Sequence, residues 1–145
     1  LGVDCRVMTA IAMHEVAEPY IRNKAVHHLE EGRTVIFGCG IGSPFFSTDT
    51  TAVLRAAEIN ADVVMMAKSI DGVYTADPKT DPSARKLDEI SYMDILSHEL
   101  RVIDGTAASF GKDNHIPLHI FGITDPYNIV RAIKGEKIGT LVTGA

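Results

Sequence analysis

Cysteine is scarce in this chain. Cys5 and Cys39 are the only two in 145 residues. They form neither a CxxC pair nor a disulfide framework, so a reducing, cytoplasmic setting is expected. No apolar run approaches the roughly 20 residues that span a bilayer, and the opening residues carry no signal-peptide pattern. Positive charge is in deficit: 14 Lys and Arg against 19 Asp and Glu leave a formal net charge of −5. That argues against a nucleic-acid partner or a membrane surface. An anionic ligand must then be held by local N–H groups and a few cations. Internal repeats, linkers and low-complexity tracts are missing as well. So is the GxxxxGK[ST] phosphate loop. A zinc pair is not expected either: His115 and His119 are four apart, but Pro117 stands between them in a segment that reads as a strand.

Hydrophobic residues make up 46% of the chain, enough for the core of one domain. The most informative stretch runs from Val35 to Thr50. There a β-branched apolar run enters the glycine-dense loop Gly38-Cys39-Gly40-Ile41-Gly42, and the loop ends in Ser47-Thr48-Asp49-Thr50. Glycine lets the backbone approach a ligand closely, and a helix N-terminus offers unpaired N–H groups and a positive dipole end. Together these features suit a phosphate group. The glycine spacing is GxGxG, not GxGxxG, and the following strand ends in Lys68 where a ribose would need an acid, which weakens a dinucleotide-dehydrogenase reading.

Strand and helix patterns alternate along the chain. Strands are expected at 3–10, 34–39 (buried), 61–67, 118–123 and 138–142. Helices are expected at 15–31 (through Val16, Tyr20, Ala25 and Leu29, stopped by Gly32) and at 49–59 (through Ala52, Ala56 and Ile59). Two more follow, from a Ser91 cap to about Leu100 and over 106–114. A last one starts at an Asp125 N-cap with Pro126 at its first position and ends near Gly135. Ser69–Pro82, with its Asp-Gly and Asp-Pro pairs, reads as a long loop. Apolar strands separated by helices predict an α/β fold with a mostly parallel central sheet covered on both faces.

Ligands of such sheets sit beyond the carboxyl ends of the strands. Two loops qualify, after 34–39 and after 61–67. The second offers Lys68 for phosphate oxygens, Tyr74 for stacking on a base, and Asp71 and Asp77 for ribose hydroxyls or a metal. Mg²⁺ would come with a nucleotide, since it favours a few carboxylates plus substrate phosphates. Plainer roles stand beside these. The glycines can simply make a tight turn, Asp49 can be only an N-cap, and Asp71-Gly72, Asp77-Pro78 and Asp81-Pro82 are turn formers. Phe45-Phe46 can be a core anchor or can shape a pocket. Cys39 reads as a small packing residue, and His14, His27, His28 and His98 as solvated helix residues.

At this point the residues carry a resemblance. Gly40 to Asp49, then Leu54-Arg55-Ala56-Ala57-Glu58-Ile59-Asn60-Ala61-Asp62-Val63 and Asp71-Gly72-Val73-Tyr74-Thr75-Ala76-Asp77-Pro78, resemble the bacterial uridylate (UMP) kinases of the amino-acid kinase fold family. The similarity continues through Arg101 to Ala107 and into Gly139-Thr140-Leu141-Val142. It implies the family's three-layer sandwich and transfer of the ATP γ-phosphoryl group to UMP in pyrimidine nucleotide biosynthesis. The abrupt start, Leu1-Gly2-Val3 with no initiator Met, and the lack of the family's phosphate-binding lysine region suggest the C-terminal part of a single kinase domain, incomplete at its N-terminus and inactive alone.

Placed residue by residue, Ile41, Gly42, Ser43, Pro44, Phe45, Phe46, Ser47 and Thr48 match the segment that holds UMP. Asp49 matches the acid that organises phosphoryl transfer. Lys68, Tyr74 and Asp77 fall where the family contacts ATP. The family often has Thr and Asn where this chain has Ile41 and Ser43. The resemblance also implies a homohexamer and possible GTP or UTP effectors, with Arg6 and Arg33 near the effector site in some members. Two other functions remain open: a non-catalytic nucleotide-binding or regulatory module of the same fold, and an amino-acid kinase with a carboxylate acceptor.

Overall fold

In the computed structural model, which describes residues 2–144, the chain divides into two compact units, one ending at Asn60 and the other starting at Ala61. Four of the six strand pairings among the described residues are parallel, as the alternation of apolar strands and helices predicts.

In the first unit, β1 (Cys5–Thr9) lies parallel to β3 (Thr34–Gly38) over five residues, Cys5 beside Thr34 through Thr9 beside Gly38. The helix expected over 15–31 is much shorter. Pro19 has no N–H to donate and drives Glu18 toward extended backbone. Glu18–Pro19 therefore forms a short strand, β2, parallel to β1, and the Tyr20 N–H donates to the Thr9 carbonyl at 2.9 Å. Helix α1 (Arg22–Glu30) begins only afterwards, with Ala25 as its buried residue, and Val16 lies outside it. Gly32, at φ +76°, still marks the stop. The strand expected to be fully buried, β3, is half-buried instead: Val7 and Ile36 pair in register and both face outward, while Met8 beside them is fully buried. Helix α2 (Thr48–Glu58) packs Val53 and Ala56 inward, so its buried stripe is centred one residue from the expected one.

The second unit is built on β4 (Val64–Lys68) and β8 (Leu118–Gly122), parallel over all five residues. β9 (Thr140–Thr143) runs antiparallel to β8, and β7 (Glu89–Ser91) runs parallel to β9. Leu118, Ile120 and Phe121 are buried, the pattern of a strand covered on both faces. The loop expected over 69–82 contains a strand: β5 (Val73–Tyr74) pairs antiparallel with β6 (Lys86–Leu87). A two-residue pairing has too weak a local pattern to read from sequence.

Three helices complete the unit. α3 (Tyr92–Ser97) is capped by Ser91, whose Oγ accepts the Asp94 N–H at 3.0 Å. α4 (Gly105–Asp113) is capped by Asp104, which accepts the Ala107 N–H at 2.9 Å. α5 (Asn128–Ile133) starts later than its expected Asp125 cap. Asp125 does accept the Tyr127 N–H at 2.9 Å, but the turn that follows is tight, with the Ile129 N–H reaching Pro126.

Two positions fix this unit sharply. Gly139 has φ +70°, and a Cβ there would lie 2.0 Å from the Ile120 carbonyl oxygen. Tyr92 is fully buried, donates to the Ile116 carbonyl at 2.8 Å, and fills the space beside Gly111. Gly139→Ala is expected to destabilise the fold by more than about 3 kcal/mol, because the clash is with backbone and the φ is unfavourable for alanine. Urea unfolding measures this, and a loss below about 1 kcal/mol contradicts it.

Burial pushes the Tyr92 phenol up to about 12. Burial, reinforced by the Glu58 carboxylate, does the same to Tyr20. The fold favours both phenols protonated, so their contribution to stability is complete below the ordinary value of 10 and is lost as pH rises through 12. Phenolate absorbance should therefore show two of the four tyrosines ionising near pH 12. Ionisation of all four near their ordinary value contradicts this.

Candidate functional site

Each unit carries one of the two loops expected at the carboxyl ends of parallel strands. In the first unit the chain leaves β3 at Gly38 and turns at once, with Cys39, Gly40 and Gly42 all at positive φ. The Gly42 N–H closes the turn on the Cys39 carbonyl at 3.0 Å. Gly42 also passes so close to the end of β1 that a Cβ would meet the Ala10 carbonyl oxygen at 3.2 Å. The glycines thus make a tight turn, as their plainer reading has it, and the turn delivers the segment 41–48 to the start of α2.

That start is capped by Ser47, not by Asp49. The Ser47 Oγ accepts the Thr50 N–H at 3.1 Å, and its carbonyl accepts the Thr51 hydroxyl at 2.8 Å. Asp49 stands in the first turn of α2, half-buried, where a carboxylate suits the positive end of the helix. Ile41 is half-buried, whereas Gly42, Ser43, Pro44, Phe45, Phe46, Ser47 and Thr48 are exposed. The core-anchor role for Phe45-Phe46 fails: Phe45 is 105% exposed at φ +70°, and Phe46 is 53% exposed. A bulky residue in the left-handed region, with its ring in solvent, is a strained arrangement of the sort found at ligand sites. Cys39 is exposed too, so it is not the packing residue expected.

A buried arginine supports this loop. Arg55 of α2 is 7% exposed, pairs with Glu58 at 2.5 Å, and donates to the Gly40 carbonyl at 3.2 Å. Its guanidinium lies 3.8 Å from the centre of the Tyr20 ring, and the Tyr20 hydroxyl donates to the same Glu58 at 2.5 Å. Arg55 gives no signal in the sequence, because it sits beside an apolar helical stripe, where a charged residue reads as solvated.

In the second unit, Lys68, Tyr74 and Asp77 all line one cavity of about 630 Å³, together with Lys79, Arg101 and Val102. Lys68 ends β4, and its Nζ donates to the carbonyl of Val102, another residue of the cavity lining, at 2.7 Å. The Tyr74 hydroxyl donates to Asp71 Oδ1 at 2.8 Å, and Lys86 pairs with Asp71 Oδ2 at 3.3 Å. Partial burial pushes the Asp71 carboxyl up, but the Tyr74 and Lys86 contacts outweigh it and hold Asp71 below its ordinary value. The Asp71 hydrogen bond in turn raises the Tyr74 phenol. Asp77 also fills its plainer role, accepting the Lys79 N–H at 2.9 Å in a turn, as Asp81 does for Ser83. Arg101 stands in one of the blocks that carried the resemblance, but nothing in its spacing marked it as a wall of this cavity.

The remaining candidates lie elsewhere. Arg6 and Arg33 both pair with Asp4, at 2.6 and 3.1 Å. His14 precedes β2 and lies on no helix, and His28 is half-buried with Arg33 on one ring nitrogen and Glu18 on the other. The His119 Nε2–H donates to the Ile138 carbonyl at 2.6 Å. Among the described residues no three His, Cys, Asp or Glu gather into a metal site. In the second unit Asp77 is a single carboxylate on the cavity wall, a donor of the kind that suits Mg²⁺ arriving with nucleotide phosphates. Among the same residues no helix is long and apolar enough to cross a membrane.

Known proteins share this fold. A UMP kinase from Bacillus anthracis superposes with a TM-score of 0.94 at 42% identity, covering 99% of this chain and 59% of that one. A UMP kinase from Ureaplasma parvum gives 0.91 at 33% identity, covering 97% and 60%. A uridylate kinase from Archaeoglobus fulgidus gives 0.70 at 36% identity, covering 86% and 59%. The chain thus spans about 60% of the length of these proteins. The model of the amino acid kinase family matches residues 1–122, and the chain belongs to that family.

Proposed function

We propose that this chain carries the acceptor and donor nucleotide sites of a UMP kinase, as the C-terminal part of a single kinase domain. The observation that carries the reading is the segment Ser43-Pro44-Phe45-Phe46-Ser47-Thr48-Asp49. It is exposed from Ser43 to Thr48, strained at Phe45 and delivered onto a capped helix N-terminus. Similarity to UMP kinases from two bacteria supports it.

In this reading Ile41 to Thr48 hold UMP, with α2 offering N–H groups to its phosphate. Lys68 meets the ATP phosphates as a point charge, Tyr74 lies against the nucleoside, and Asp77 bonds ribose hydroxyls or holds Mg²⁺. Bound Mg²⁺ would neutralise charge on the ATP phosphates. Asp49 orients the reacting groups. The γ-phosphoryl passes in line to a phosphate oxygen of UMP: the new P–O bond forms as the bond to ADP breaks, leaving UDP and ADP. Such a reaction needs positioning and charge neutralisation more than proton transfer. The proposal extends to a homohexamer in the cytoplasm with GTP or UTP as effectors.

ATP-dependent phosphoryl transfer by the natural gene product, with UMP, CMP, aspartate and acetylglutamate offered in parallel, tests the reading. Transfer confined to UMP is expected. Transfer to an amino acid would keep the family and overturn the substrate, and no transfer at all would favour a regulatory module. Asp49→Asn should lower kcat on the order of 100-fold while the KM for UMP changes less than about threefold. An unchanged kcat would reduce Asp49 to a helix-end charge. Because the chain spans about 60% of the UMP kinases it matches, this polypeptide alone is expected to form little or no UDP. Robust UDP formation by it contradicts that expectation.

A further inference from the structure

We propose that Thr140 is a positioning residue for the donor site: its buried hydroxyl locks the β5–β6 hairpin, and with it Tyr74 and Asp77, against the cavity that takes ATP. This rests on the reading of that cavity given above.

The hairpin has little to hold it by itself. Its strands are two residues each, Val73 beside Leu87 and Tyr74 beside Lys86, and so short a pairing is marginal in water. Thr140, on β9, is fully buried. Its Oγ1 accepts the Val73 N–H at 2.8 Å and donates to the Leu87 carbonyl at 2.5 Å. One hydroxyl therefore ties both strands of the hairpin to β9 at the same residue pair. Removing such a hydroxyl is costly, because the buried Val73 N–H loses this acceptor and the half-buried Leu87 carbonyl loses this donor.

The neighbouring residues are shaped for this contact. A Cβ on Gly72 would lie 2.8 Å from the Thr140 Oγ1, so only glycine lets the hairpin approach so closely. Gly139 has the positive φ that turns the chain into β9 directly before Thr140. Gly72, Val73, Tyr74 and Asp77 all line the cavity. Tyr74 is held in turn by Asp71, and Asp71 by Lys86 of the partner strand. Without the hydroxyl, the hairpin keeps its internal pairing and the β6 side keeps the Leu141 N–H bond to the Asp88 carbonyl at 2.9 Å, but β5, which leads into Tyr74 and Asp77, loses its tie to β9, and the cavity wall it forms becomes mobile.

The test compares Thr140→Val, which keeps the shape and removes the hydroxyl, with Thr140→Ser, which keeps the hydroxyl. ATP binding is read by equilibrium dialysis on the natural gene product, and steady-state KM and kcat are read alongside. Thr140→Val is expected to weaken ATP binding and raise the KM for ATP about tenfold, while the KM for UMP and kcat change less than about twofold. Thr140→Ser is expected to bind ATP like the wild type. Equal losses for ATP and UMP, or unchanged ATP binding in Thr140→Val, would overturn the positioning role. If Thr140→Val does not fold, a tenfold loss of ATP binding in Thr140→Ser still overturns it. Wild-type protein that binds no ATP would defeat the reading of the cavity itself, a result distinct from wild-type binding that Thr140→Val leaves untouched.

Discussion

Parallel pairing of strands sets the place of both candidate loops. β1 and β3 run together to the pair Thr9 and Gly38, and β4 and β8 run together to the pair Lys68 and Gly122. In each unit the chain must leave the sheet beside a neighbour that ends at the same level, and the space there is small. A Cβ on Gly38 would lie 3.2 Å from Thr9 Cγ2, and one on Gly122 would lie 3.1 Å from Asp71. Each departing loop then folds back over a neighbouring strand end, Gly42 against Ala10 in one unit and Asp71 against Gly122 in the other. The same constraint thus shapes two loops with different side chains, and the side chains decide the chemistry.

In the proposed reading those side chains divide the work of binding anions in an acidic chain. In the first unit the offer is backbone: the start of an eleven-residue helix, capped by Ser47, with the loop braced through the Gly40 carbonyl by Arg55. Arg55 is spent on Glu58, Gly40 and the Tyr20 ring, so its charge supports the loop's shape. In the second unit the offer is side chain, with Lys68, Lys79 and Arg101 around one cavity. A net charge of −5 is compatible with both, because fields at such sites are local.

Much of this was legible in the residues. Long apolar strands and well-capped helices declared themselves, as at Ser91, and the grouping of Lys68, Tyr74 and Asp77 around one cavity followed from placing them after a parallel strand. The misses have physical causes. Pro19 overrode an apparent helical period in 15–31, because a missing N–H and a restricted preceding residue outweigh apolar spacing. The β5–β6 hairpin reads as loop in the sequence because its strands are two residues each and one of its ties, to Thr140, reaches sixty-seven residues along the chain from Val73. In the sequence Asp49 reads equally well as a cap, but Ser47 takes that bond and Asp49 stands in the first turn of α2. Arg55 and Arg101 gave no local signal, since their partners are a carbonyl across a loop and a cavity wall.

The two loops are proposed to serve different nucleotides, and hydrogen–deuterium exchange of the natural gene product tests this most directly. UMP alone should slow exchange in peptides covering 41–50 and leave 68–79 unchanged. ATP with Mg²⁺ should do the reverse. Protection of neither segment by its nucleotide, or protection of 68–79 by UMP, would contradict the account.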